Sequence, residues 1–108
     1  MNNLQLQYSF LSKINNKIYP KNKSFKIHIR IQQINSKKYI TFIEDLPEHL
    51  DLKKLLKFMK KNFVCNGTII KNNNKKIINL SGDQRIKVKD FLIKYNIIDK
   101  NNIIIHIF

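Results

Sequence analysis

The chain has one cysteine, two glycines, two prolines and seven acidic residues in 108. Each scarcity closes a class of function. A single thiol, Cys65, forms no internal disulfide and builds no zinc site by itself, which suits the reducing cytoplasm. Two glycines cannot make the glycine-rich loop that cradles phosphates. No P-loop, dinucleotide fingerprint or nucleophile elbow occurs. No stretch approaches the roughly 20 apolar residues of a membrane-spanning helix, and the N-terminus lacks the apolar run of a secretion signal. A basic transit segment is disfavoured by four asparagines and no arginine in residues 1–16. The expected compartment is the cytoplasm, with no membrane partner.

Histidine is sparse as well. His28 falls on a polar strand face, His49 in an acidic loop and His106 close to the end. None stands in a metal-ligand spacing. Cys65 follows Phe63-Val64 and reads as a small buried hydrophobe rather than a nucleophile. We therefore expect no catalytic residue, no metal and no cofactor.

Positive charge is what the chain has in excess. Lysine and arginine number 21, for a net charge of +14 and a pI near 10.0. Such a balance favours a polyanion: RNA, DNA or an anionic membrane. Isoleucine, lysine and asparagine (20, 19 and 15) make up half the chain. That is the bias of an AT-rich genome, and lysine drift alone gives the same total. The clustering of the charge is what favours nucleic acid.

At this length one domain is expected. Residues 1–24 sustain no period and read as a flexible tail, with one docking patch around Phe10-Leu11. Residues 25–31 alternate Ile27, Ile29 and Ile31 with Lys26, His28 and Arg30, a strand with one buried face. A basic turn over 33–38 leads to a second strand over 39–43. Glu44, Asp45, Glu48 and Asp51 form an acidic loop, with Asp51 as helix cap. Leu52, Leu55, Leu56, Met59 and Phe63 then recur at helical spacing, while Lys53, Lys54, Lys57, Lys60 and Lys61 fill the other face. A strand over 64–70, a basic turn over 71–76 and a strand over 77–80 follow. Ser81-Gly82-Asp83 reads as a helix start. In the second helix Val88, Phe91, Leu92 and Tyr95 point inward, leaving Ile86 and Ile93 outside. The apolar run over 103–108 predicts a last strand deep in the sheet.

The order β-β-α-β-β-α-β defines an α+β two-layer sandwich, an α/β plait over residues 25–108. Its sheet is expected to be mainly antiparallel, with both helices on one face and the other face open. The first helix is expected to share one side with both basic turns. Its five lysines in nine residues have no i,i+4 carboxylate and repel one another by a few tenths of a kcal/mol per pair. A polyanion relieves that repulsion; a solvated face is the alternative. Lysine suits phosphate contact rather than base reading, so the expected binding is salt-dependent. Tyr39 and Phe42 lack the paired-aromatic motif of a base-stacking sheet.

Five motifs narrow this further: IHIRIQQ (27–33), DLKKLLK (51–57), KKNFVCNGT (60–68), INLSGDQR (78–85) and IHIF (105–108). In this order, and over residues 26–108, the chain resembles the eukaryotic translation initiation factor 1 family. The pair Ser9-Phe10 also looks like that family's N-terminal motif. The resemblance implies a non-enzymatic factor, monomeric when free, seated on the small ribosomal subunit beside the P site. Such a factor promotes scanning, opposes premature seating of initiator tRNA and works with other initiation factors in a multifactor complex. It implies rRNA contacts at Asn35, Ser36, Lys37 and Lys38 and at Lys57, Lys60 and Lys61. It also implies a fidelity role, close to tRNA, for Lys71, Lys75, Lys76, Asp83, Gln84 and Arg85.

The chain departs from the family at four places, one being the tail, which lacks the family's acids. The family's first turn carries arginine, asparagine, glycine, arginine and lysine, where this chain has Ile34, Asn35, Ser36, Lys37 and Lys38. The family's second turn is usually acidic with proline and glycine, whereas residues 71–76 are Lys-Asn-Asn-Asn-Lys-Lys. Facing tRNA, that turn would attract where the family repels. The closing histidine, glycine and phenylalanine are here His106, Ile107 and Phe108. The alternative function is a protein-interaction module of the same fold in initiation or ribosome recycling, binding through the open sheet face and Ile86/Ile93.

Overall fold

Alternating isoleucines set the sheet. A computed structural model of the chain describes residues 25–107; the tail, its Phe10-Leu11 patch and Phe108 lie outside them. Five strands are present: β1 (Ile27–Asn35), β2 (Lys38–Glu44), β3 (Gly67–Asn72), β4 (Lys75–Ser81) and β5 (Ile103–Ile105). Helix α1 (Leu52–Phe63) joins β2 to β3, and α2 (Arg85–Lys94) leads through a short 3-10 turn to β5. The order across the sheet is β3-β4-β2-β1-β5. All neighbours are antiparallel except β1 and β5. The expected mainly antiparallel two-layer α+β architecture is the one observed.

The inward residues of alternate strand positions, Ile27, Ile29, Ile43, Ile78 and Leu80, are fully buried. Beneath them lie Leu55, Met59 and Phe63 of α1 and Val88, Phe91 and Leu92 of α2. Phe63 meets Phe91 edge-on at 5.7 Å between centroids, joining the helices. Burying each such side chain contributes about 1.5–3 kcal/mol. Asp51 caps α1 as expected, its carboxylate accepting from Lys54 N at 3.2 Å. Ile97 and Ile98, after α2, close the core from a segment with no helical period.

Four expectations change. The last strand is at the sheet's edge, not deep in it: β5 pairs with β1 alone, over three residues. Its apolar run reflects a strand that packs Ile103 and Ile105 on the core while Ile104 stays exposed. Strand β3 starts at Gly67 rather than at 64, because Val64 takes the left-handed conformation that ends α1. Helix α2 starts at Arg85, two residues beyond Asp83; its N-cap Gln84 makes no side-chain cap bond, but the Asp83 carboxylate accepts from Arg85 N at 3.3 Å, as expected of an acid at a helix start. Ile93 is half-buried, so only Ile86 stands clear of the surface.

The turns are tighter than their composition implies. Between β1 and β2 the turn is only Ser36-Lys37, preceded by a bulge at Ile34, and between β3 and β4 it is only Asn73-Asn74. Both of these asparagines have positive φ, 50° and 66°. That is the mark of a two-residue I′ hairpin, which asparagine tolerates and β-branched residues do not.

Gly67 answers a space constraint. A Cβ there would lie 2.7 Å from Leu80 Cδ2 and 2.8 Å from the backbone oxygen of Asn79. The backbone oxygen cannot yield without disturbing the β3–β4 ladder. Gly67→Ala should therefore destabilise the protein by about 1–3 kcal/mol, read as a lower urea midpoint at unchanged slope.

Candidate nucleic-acid interface

One end of the sheet collects most of the candidate residues. Strands β2 and β4 are antiparallel neighbours, and each begins at a hairpin turn. The two turns must therefore lie at opposite ends, roughly 20 Å apart along β4. The expectation that they share a side with α1 is corrected by this topology alone. Helix α1 runs away from the β3–β4 turn, so its C-terminal lysines approach the β1–β2 turn. We call that end the basic pole.

Hydrogen bonds fasten the pole. Asn35 Oδ1 accepts from Lys37 N at 2.9 Å, shaping the turn. Gly82 N donates to Tyr39 O at 2.7 Å, tying the start of β2 to the segment after β4. Ser81 N donates to Asn66 O at 2.9 Å, tying that segment to the end of α1. Lys60 and Lys61 are in the last turn of α1, and their charge suits its negative dipole end. Lys37, Lys38, Lys57, Lys60 and Lys61 are all exposed. Asn35, Ser36, Lys37, Lys38, Lys60 and Lys61 thus lie toward the same end of the sheet, with Lys57 one turn back along the helix.

The other set is divided. Lys71, Lys75 and Lys76 lie at the far end, where Lys75 Nζ stands 3.7 Å from Asp45 Oδ1. Asp83, Gln84 and Arg85 are at the basic pole. There Arg85 works internally. Its Nε and Nη2 donate to the two carboxylate oxygens of Asp83 at 2.9 and 2.8 Å. Its Nη1 donates to the backbone oxygens of His106 and Ile107 at 2.9 and 2.7 Å. Arg85 is thus a strap holding the last residues against the start of α2. The same pairing holds the Asp83 carboxyl below its ordinary pKa and raises that of the guanidinium.

Three further features carry little trace in the sequence. Thr41 is fully buried; its Oγ1 donates to Gly82 O at 2.7 Å and accepts from Gln84 N at 2.8 Å. It caps α2 from another strand. The available signal was an inward-facing polar residue between Ile40 and Phe42. His28 Nδ1 and His106 Nε2 are 2.9 Å apart on the open face, within hydrogen-bond distance. Burial and the nearby Arg30 lower the pKa of His106. Cys65 is half-buried, and burial raises its thiol pKa. Among the described residues no group of three or more His, Cys, Asp or Glu is arranged to hold a metal, and no helix is long and apolar enough to cross a membrane.

Fold and charge together define a small basic α+β domain with the features of a binding module. Residues 23–98 match the family model "Translation initiation factor SUI1", and the chain belongs to this family, whose members are initiation factors rather than enzymes. The chain is 51% identical over 81 residues to the eukaryotic translation initiation factor eIF-1 of Saccharomyces cerevisiae, covering 74% of this chain and 75% of that one. It is 49% identical over 81 residues to protein translation factor sui1 of Schizosaccharomyces pombe, covering 74% of each. It is 48% identical over 83 residues to a SUI1 homologue of Acanthamoeba polyphaga mimivirus, covering 75% and 78%. Among solved structures, the C-terminal domain of human eIF2D shares the fold, with a TM-score of 0.65 at 17% identity. That likeness covers 73% of this chain and 41% of the other.

The cap from Thr41 gives a direct test. Thr41→Val keeps the shape but leaves Gly82 O and Gln84 N without their partner. Thermal unfolding should show a loss of about 1–3 kcal/mol, while Thr41→Ser, which keeps the hydroxyl, should lose less.

Proposed function

We propose that this protein binds the small ribosomal subunit through its basic pole and acts there in start-codon selection. The observation that carries the reading is the convergence of Lys37, Lys38, Lys60 and Lys61 from two separate elements, fastened by backbone hydrogen bonds. Exposed lysines carried on a hydrogen-bonded backbone framework suit the phosphates of structured RNA. Family membership and the relatives named as eIF-1 and translation factor SUI1 support rRNA as that polyanion. The protein acts in the cytoplasm, without catalysis, as a monomer when free and beside other initiation factors when bound.

With the basic pole on rRNA, the far hairpin carrying Lys71, Lys75 and Lys76 projects toward initiator tRNA near the P site. Its positive charge attracts tRNA, so opposition to premature seating rests on the bulk of the hairpin rather than on repulsion. Scanning then continues until start-codon pairing displaces the protein.

A second reading is favoured by one observation. The open sheet face leaves Ile70 and Ile104 more than a third exposed, which suits a partner protein in initiation or recycling. Co-sedimentation with purified small ribosomal subunits separates the two. Replacing Lys57, Lys60 and Lys61 together by Glu should weaken subunit binding at least tenfold. It should also flatten the log–log salt dependence by roughly 2–3 units. Unchanged binding by this variant would remove the rRNA reading and leave the open face as the candidate.

A further inference from the structure

Six described residues hold a left-handed backbone: Asp45, Val64, Asn73, Asn74, Gly82 and Asn96. Five are glycine, asparagine or aspartate, the types that adopt it at least cost. Val64 is the exception, with φ 51° and ψ 56°. For a β-branched residue this conformation is a true outlier.

The position is a helix end that glycine ordinarily fills. Cys65 N donates to Lys60 O at 3.1 Å, and Val64 N also reaches Lys60 O, as in a Schellman termination. The chain has 15 asparagines, so tolerant residues are abundant. Packing does not justify valine either. Its relative exposure is 90%, the highest of any large apolar side chain among the described residues. The folded protein therefore accepts backbone strain and an exposed hydrophobe at one position, with no gain in folding.

The surroundings say what it faces. Lys60 and Lys61 precede it, and the next residue, Cys65, lies in the field of both Lys60 and Lys87. The exposed apolar knob thus follows directly on two lysines of α1, at the basic pole. A knob beside charge of this sign selects a polyanion with apolar edges between its charges, which describes the ribose and base faces of RNA. Valine suits such a contact, because its χ1 is stiff and little rotamer freedom is lost when it is covered.

We propose that Val64 is a contact residue of the RNA-binding surface, pressing on a ribose or base edge between phosphates held by Lys60 and Lys61. The inference rests on the rRNA reading above. It adds an apolar contact to a surface otherwise described by charge alone.

The test uses the full chain, purified small ribosomal subunits and two variants. Val64→Gly releases the strain and deletes the knob. It should raise Tm by about 2–5 °C and weaken subunit binding about fivefold, with the salt dependence unchanged because no charge is altered. Val64→Ala keeps a Cβ in the left-handed region and should weaken binding without the gain in Tm. If the parent binds and both variants bind as tightly, the contact is refuted and the rRNA reading stands. A fall in Tm for Val64→Gly refutes it as well, since valine would then be serving the fold. If the parent itself fails to bind subunits, the rRNA reading falls and the contact with it.

Discussion

One buried hydroxyl holds the layers of this domain in step. Thr41 Oγ1 bonds both Gly82 O and Gln84 N, fixing the exit from β4 and the start of α2 to the middle of β2. Gly82 makes the sharp turn possible with φ 87°. Once that junction is set, Arg85 is in position to strap down the last residues, and Gly82 N is in position to bond Tyr39 O. The basic pole is therefore held together chiefly by hydrogen bonds to backbone groups. Its exposed lysine side chains stand outside that framework, where they repel one another.

Strand direction imposes the larger plan. Because β2 and β4 run antiparallel, the two basic hairpins point opposite ways. Their lysines therefore stand at opposite ends of the sheet, roughly 20 Å apart. On the proposed reading this asymmetry is useful: one end anchors to rRNA and the other reaches toward tRNA. The same plan gathers the acids Asp45, Glu48 and Asp51 at the far end, where Asp45 partly offsets Lys75. Charge is thus distributed along the molecule rather than spread evenly over it.

Much of the fold was legible because periodicity reports one-sided burial. Ile27-Ile29-Ile31 and Leu55-Met59-Phe63 declared a strand and a helix, and Asp51 declared the cap. Boundaries failed where a long-range partner decides them. Nothing local reveals that Thr41, 43 residues before Gln84, caps α2. Nor does a run of isoleucines distinguish a central strand from β5, whose place at the edge depends on pairing with β1. The lysines of the candidate site were easy to name from composition and motif. Their division between two poles was not, since it follows from strand direction. The strap made by Arg85 was hidden for a related reason: its partners are backbone oxygens at the end of the chain.

A density map of this protein bound to a small ribosomal subunit would show whether the basic pole is the surface that meets rRNA. The expected map shows Lys37, Lys38, Lys60 and Lys61 against rRNA phosphates, the hairpin of Lys71 to Lys76 projecting away from them, and the open sheet face uncovered by RNA. A map in which the open sheet face is buried against a protein, with the basic pole exposed to solvent, would contradict that assignment.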